Sequence, residues 1–167
     1  ASDVYKRQDT TLALIKSPVK NISANGVSII SKTADIANAR IEFENGCISN
    51  LTSSRISMKS MRKARFFQKD SYISIDYLNK KVEVVKIKDA PKKNGPFDLI
   101  LKNDSGVKKI ITFDKPKVNE FNAIFFELES FADSIIHSKP VVVTLSDGKR
   151  ALNLALKISE KIKNTLK

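Results

Sequence analysis

Residues 37–44, Ala-Asn-Ala-Arg-Ile-Glu-Phe-Glu, alternate apolar and polar side chains. Ala39, Ile41 and Phe43 fall on one side, and Arg40, Glu42 and Glu44 on the other. A period of two belongs to a strand with one buried face, and no helix reproduces it. Asn45-Gly46 follows directly, and both residues tolerate positive φ. The dipeptide predicts a two-residue hairpin loop, with residues 47–56 returning as the partner strand. That loop pairs Glu44 with Cys47 and Phe43 with Ile48. A chain built on such a hairpin is committed to an antiparallel sheet whose apolar face needs cover.

The pattern extends in both directions. Residues 19–30 read as a strand, with Asn25-Gly26 marking a turn or bulge. Residues 62–68 and 71–77 form a second hairpin around Lys69-Asp70, with Ile73, Ile75 and Tyr77 on one face. Strands are expected at 80–87, 97–101 and 108–113, the first two separated by the Pro- and Gly-containing loop 91–96. Residues 9–16 read as a helix end with Leu12, Ile15 and Leu14 inward, stopped by Ser17-Pro18. Phe121, Ile124, Phe125, Leu128, Phe131, Ala132 and Ile135 share one stripe at helical spacing, ended by Lys139-Pro140. Ser146 is the expected N-cap of a last helix whose buried stripe is Ala151, Ala155, Ile158 and Ile162. The fold class is therefore α+β: an open, mostly antiparallel β-sheet of six to eight strands with helices packed on one face. The other face, rich in Ser, Thr, Asn and long charged residues, is left for solvent, a ligand or a second subunit.

Composition narrows the chemistry. The 167 residues suit one domain. One cysteine, Cys47, excludes a disulfide framework and a Cys-based zinc site, and one histidine, His137, excludes a multi-His metal centre. No apolar run approaches the roughly 18 residues that span a membrane, and a cytoplasmic location is the expectation. The net charge of +12 admits an anionic partner. However, the lysines are scattered, and the densest basic stretch runs only from residue 55 to 69. A basic sheet module for nucleic acid or another polyanion is the alternative, with Phe66, Phe67 and Tyr72 as stacking groups. Against it, adjacent Phe66 and Phe67 point to opposite faces of a strand.

No GxGxxG turn or P-loop occurs, so no dinucleotide cradle is encoded here. His137, near a helix end, suits the helix dipole rather than a catalytic set. Cys47, after a hairpin turn, reads as a packed or edge thiol. By motif alone the chain carries no catalytic set of its own.

A resemblance adds a reading. Residues 34–55, ADIANARIEFENGCISNLTSSR, resemble the substrate-domain hairpin of the Gfo/Idh/MocA family, the glucose–fructose oxidoreductase and inositol dehydrogenase group. Arg62-Lys63-Ala64-Arg65-Phe66-Phe67 and Tyr72-Ile73-Ser74-Ile75-Asp76-Tyr77 resemble its next two strands. Residues 127–135 and 147–152 resemble its last two helices. The resemblance covers about residues 9–160. It implies an N-terminal nucleotide-binding domain carrying NAD or NADP in a parent protein, with none bound by these residues. It also implies a sugar, cyclitol or other polyol as the parent's substrate. A homo-oligomer through the open sheet face is implied too, with no role for a membrane or nucleic acid. The family's DxxxHxxD signature falls on Val4, Gln8 and Thr11, none of which matches, so no catalytic residue is expected. Asp9 and Arg55 are the substrate-side candidates. Residues 1–8 resemble neither the family nor the following helix and are expected to be a foreign leader, leaving 9–167 as the C-terminal substrate and oligomerisation domain. The chain is expected to fold without turning over.

Overall fold

A computed structural model describes residues 8–89, 99–102, 108–119 and 122–166. In chain order the elements are α1 (Gln8–Leu14), β1 (Val19–Val27), β2 (Ile36–Phe43), β3 (Ile48–Ser54), β4 (Lys63–Gln68), β5 (Ser71–Asp76), β6 (Lys81–Asp89), β7 (Leu99–Lys102), β8 (Lys108–Asp114), α2 (Ala123–Ile136) and α3 (Leu145–Thr165). The class is α+β and every strand pairing is antiparallel. The eight strands form two sheets, ordered β1-β2-β3 and β4-β5-β6-β8-β7, rather than one. The break falls after Ser54, where Ser-Met-Lys-Ser-Met-Arg offers no alternating apolar face and leaves Met58 and Met61 exposed. Two compact units result: one joins the chain up to Met58 with Ile124–Lys167, the other is Lys59–Ala123.

The first unit is a three-stranded sheet with α1 and α3 on one face. Ala37, Ala39, Ile41 and Phe43 of β2 are buried, as the alternation requires, and their neighbours are not. Ile22 lies opposite Ile41, and Ala39 lies opposite Leu51, so three strands contribute to one apolar layer. Leu154, Ile158 and Ile162 of α3 and Leu12 of α1 close over it. Ile41 and Ile158 are completely buried, and a side chain of this size contributes about 1.5–3 kcal/mol by leaving water. The opposite face carries Ser23, Asn25, Asn38, Arg40, Glu42, Asn50 and Thr52. A polar ladder crosses it: Arg40 donates to Glu42 and Asn50, and Thr52 donates to Asn38.

Local signals hold with specific exceptions. The hairpin after β2 has three loop residues, not two. The Phe43 N–H donates to the Cys47 carbonyl at 2.9 Å and the Gly46 N–H to the Phe43 carbonyl at 3.0 Å. Phe43 therefore faces Cys47, one residue from the expected register; the positive φ is taken by Gly46 alone, at +83°. Asn25-Gly26 is neither turn nor bulge but runs straight inside β1. Its glycine is there for α3: a Cβ on Gly26 would lie 2.6 Å from the Ile162 Cγ2 and 2.9 Å from the Ala34 Cβ. The last helix is capped by Thr144, not Ser146. Its hydroxyl accepts the Asp147 N–H, and the Asp147 carboxylate accepts the Thr144 N–H, a reciprocal capping box. In α1, Leu12 is buried and Leu14 is exposed.

The second unit is a five-stranded meander in which β8 returns between β6 and β7. Lys69-Asp70 forms the two-residue turn, with Gln68 opposite Ser71. Phe66 and Phe67 do face opposite ways; Phe67 is exposed and its ring lies 5.0 Å from that of Tyr72. No residue of β4, β5, β6 or β8 is fully buried. In the first unit, helix α2 also departs from expectation. Ile124, Phe125, Leu128, Phe131 and Ile135 of its stripe are exposed, and only Ser134 is buried. Phe121 and the loop 91–96 lie outside the described residues.

Substituting Gly26 by Ala forces Ile162 or the strand to move. Chemical denaturation should show a loss of about 1–3 kcal/mol, the usual effect of overpacking a filled core.

Candidate functional site

The residues expected at the site lie at the start of α1. Gln8 is fully buried, and among the described residues neither its Oε1 nor its Nε2 has a hydrogen-bond partner. A carboxamide does not titrate, so Gln8 cannot act as a proton acceptor. Thr11 is half-buried on the same short helix, and Val4 lies outside the described residues. Asp9 is exposed and lines a small cleft of about 90 Å³ with Lys16, Val142, Asp147 and Arg150. The Asp147 carboxyl is held below the usual carboxylate range, first by the hydrogen bond from the Thr144 hydroxyl.

Arg55 sits immediately after β3 with its side chain 43% exposed, and it lines neither the cleft at Asp9 nor the groove between β1 and α3. Its role is set by a residue that sequence reasoning missed. The Asp35 side chain is completely buried. Its Oδ2 accepts the backbone N–H groups of Ile29 (2.7 Å), Ile30 (2.8 Å) and Ser31 (3.1 Å), and its Oδ1 accepts the Ser31 hydroxyl at 2.8 Å. The Arg55 Nε is 3.6 Å from Oδ1, and the Arg55 N–H donates to the Asp35 carbonyl at 3.0 Å. Asp35 thus gathers the β1–β2 connection and ties it to the end of β3. The donated N–H groups, that of Ile29 foremost, hold its carboxyl far below the usual carboxylate range. Nothing in the local sequence marks Asp35, because its donors are backbone groups that only the folded loop brings together.

The larger cleft of this unit, about 510 Å³, runs between the outer edge of β1 and α3. Its floor is Leu12, Ile22 and Leu154, and its walls carry Lys20, Arg150, Lys157, Lys161 and three asparagines. Its sequence signal is the polar stripe Arg150, Asn153, Lys157, Lys161, Asn164 at helical spacing, beside the apolar stripe of the same helix.

Other candidates separate. Arg55 belongs to the first unit, whereas Lys59 to Lys69 of the basic run belong to the second, where Lys63 pairs with Asp76 at 3.2 Å. His137 follows the C-terminus of α2, 3.3 Å from Asp133. Cys47 is exposed and unbridged. Among the described residues no group of His, Cys, Asp and Glu is placed to hold a metal, and no helix is long and apolar enough to cross a membrane. The described residues do not fit a dinucleotide either. Gly26 is packed under Ile162, Gly46 turns a hairpin, and Gly148 lies within a helix, so none opens a strand-to-helix turn toward a pyrophosphate.

Two carboxylates predict the acid limit of the fold. Asp76 accepts the N–H groups of Leu78 and Asn79 and is lowered to about 2, the Asn79 backbone bond being the largest cause. Both Asp35 and Asp76 have folded pKa values below their unfolded ones. Their stabilisation is complete above the ordinary carboxylate pKa of about 3.9 and is lost as pH falls through the folded values. Denaturant titrations should show stability falling below about pH 4. Asp35→Asn should flatten that dependence and cost more stability at neutral pH than Asp76→Asn, because its side chain is fully enclosed.

No family profile matches the chain. It is 27% identical over 150 residues to the UDP-N-acetylglucosamine 3-dehydrogenase of Acidithiobacillus ferrooxidans, covering 90% of this chain and 44% of that protein. A solved structure of that enzyme superposes with a TM-score of 0.82 at 25% identity, over 97% of this chain and 48% of the other. An NAD-binding protein from Listeria innocua (TM-score 0.68, 20% identity, 97% and 48% covered) shares the fold. So does an aldose–aldose oxidoreductase from Caulobacter crescentus (0.68, 15%, 96% and 44%). The chain spans about half the length of the relatives it matches. The chain is thus similar to a UDP-N-acetylglucosamine 3-dehydrogenase in sequence and shares its fold with an NAD-binding protein and an aldose–aldose oxidoreductase, matched along about 45% of their length.

Proposed function

We propose that this chain is the C-terminal substrate-binding and assembly part of a NAD(P)-dependent oxidoreductase acting on a sugar or related hydroxyl compound. The observation that carries this reading is the match to UDP-N-acetylglucosamine 3-dehydrogenase, which takes in 90% of this chain. The cofactor, NAD or NADP, belongs in this reading to the parent protein, since the described glycines form no dinucleotide cradle. In this reading residues 9–167 form the functional part, and Gln8, already the buried first residue of α1, folds with them. The location is cytoplasmic, in keeping with the unbridged Cys47.

Asp9 and Arg55 are the substrate-side residues. Asp9 is supported by its place in a cleft beside Arg150. Arg55 is supported as a group held in orientation by Asp35 at the end of a strand. The chain lacks a base for the substrate hydroxyl, because position 8 is an amide. The basic-module reading is not favoured, since the basic run is divided between the two units.

The purified chain, given NAD or NADP and UDP-N-acetylglucosamine or a free polyol, should form no reduced nicotinamide. Formation above the buffer rate overturns the reading. Assembly through the open sheet face is a separate part of the proposal. It is supported by the polar face of β1–β3 and by exposed Phe67 and Phe113, which share one face of the second sheet. Light scattering at micromolar concentration should give at least twice the mass of one chain, and a clean monomer removes that part.

A further inference from the structure

We propose that the groove between the outer edge of β1 and α3 is a binding site for an oligophosphate, a diphosphate or longer. One wall is the strand edge itself. Residues 17–22 line the groove consecutively, although side chains in a strand alternate between faces, so the backbone edge is what faces inward. The other wall is one stripe of α3 carrying Arg150, Lys157 and Lys161. Their spacing of seven and four residues keeps them on one face, and at about 1.5 Å per residue the outer two stand roughly 16 Å apart.

Lys20 faces them from β1. The ladder runs from Val19 opposite Phe43 to Asn21 opposite Glu42, so Lys20 is the extra residue of a bulge. Lys20 lines the groove from this bulge. The lining thus sets four cations against one carboxylate, that of Glu160. Arg150 reaches Asp147 only at 3.9 Å, and Lys20, Lys157 and Lys161 form no ion pair with a described carboxylate. Like charges converging on a concave surface repel one another and focus a positive field, and a multivalent anion relieves both. Asn153 and Asn164 add neutral donors.

The edge disfavours the other occupant of such a groove, an added peptide strand. Pro18, the bulge and Lys20 are all devices that block edge-to-edge pairing. An oligophosphate needs no ladder and offers several acceptor oxygens for each ammonium and guanidinium. This inference does not rest on the oxidoreductase reading.

Calorimetric titration of the full chain at low salt tests it, with inorganic pyrophosphate, tripolyphosphate, orthophosphate and a nucleoside diphosphate as probes. Pyrophosphate or tripolyphosphate should bind more tightly than orthophosphate and weaken as salt rises. Lys157→Glu with Lys161→Glu should lower affinity at least roughly tenfold. Lys163→Glu, a like charge change on the same helix outside the groove, should leave it nearly unchanged. The milder pair Lys157→Gln and Lys161→Gln, with circular dichroism, keeps the test sound if charge reversal disturbs folding. A nucleoside diphosphate binding better than pyrophosphate supports an esterified ligand, and the reverse supports a free one. No binding by any oligophosphate, or an equal loss from Lys163→Glu, overturns the proposal.

Discussion

The first unit depends on one contact, the apolar stripe of α3 lying across β1 and β2. Ile158 and Ile41 are both completely enclosed there, and Phe43 nearly so. A three-stranded sheet exposes its apolar face to water unless something covers it, and α3 is that cover. The close approach explains Gly26, whose missing Cβ leaves room for Ile162. It also explains the Thr144–Asp147 capping box, which sets where the stripe begins. The groove beside β1 is a by-product of the same packing. Where the apolar stripe of α3 ends, the neighbouring polar stripe must overhang the strand edge.

Asp35 holds the unit in a different way. Burying a carboxylate is costly unless its lone pairs are satisfied, and here three backbone N–H groups, a hydroxyl and Arg55 satisfy them. The result is a connection between β1 and β2 that is ordered by one side chain. Gln8 is the contrast, a buried polar group with neither amide atom bonded among the described residues.

The second unit is built on a different principle. Its five strands pair in full register, yet no residue of β4, β5, β6 or β8 is fully buried. A single sheet layer with apolar residues such as Phe67 and Phe113 in the open satisfies its backbone before it satisfies its side chains. The apolar side chains of α2, in the first unit, are in the same condition. This is why a periodic pattern announces an element without announcing what it packs against.

Strand alternation in β2, the Lys69-Asp70 turn, the opposed Phe66 and Phe67 and the buried stripe of α3 were all legible in the sequence, because each follows from local geometry with a fixed period. The hairpin register was not, since Asn-Gly permits two loop lengths and Gly46 alone took the positive φ. Gly26 was misread as a turn because a glycine needed for close approach looks the same in sequence as one needed for its dihedral angles. Asp35 was invisible, and of the groove only the α3 stripe follows a spacing rule. The partners of Asp35 come from backbone amides, and no spacing rule relates Lys20 to Lys161. By itself the sequence determined the element types and the antiparallel class, which depend on neighbours along the chain. Tertiary structure decided the division into two sheets, the enclosure of Asp35 and the convergence of cations beside β1, which depend on neighbours in space.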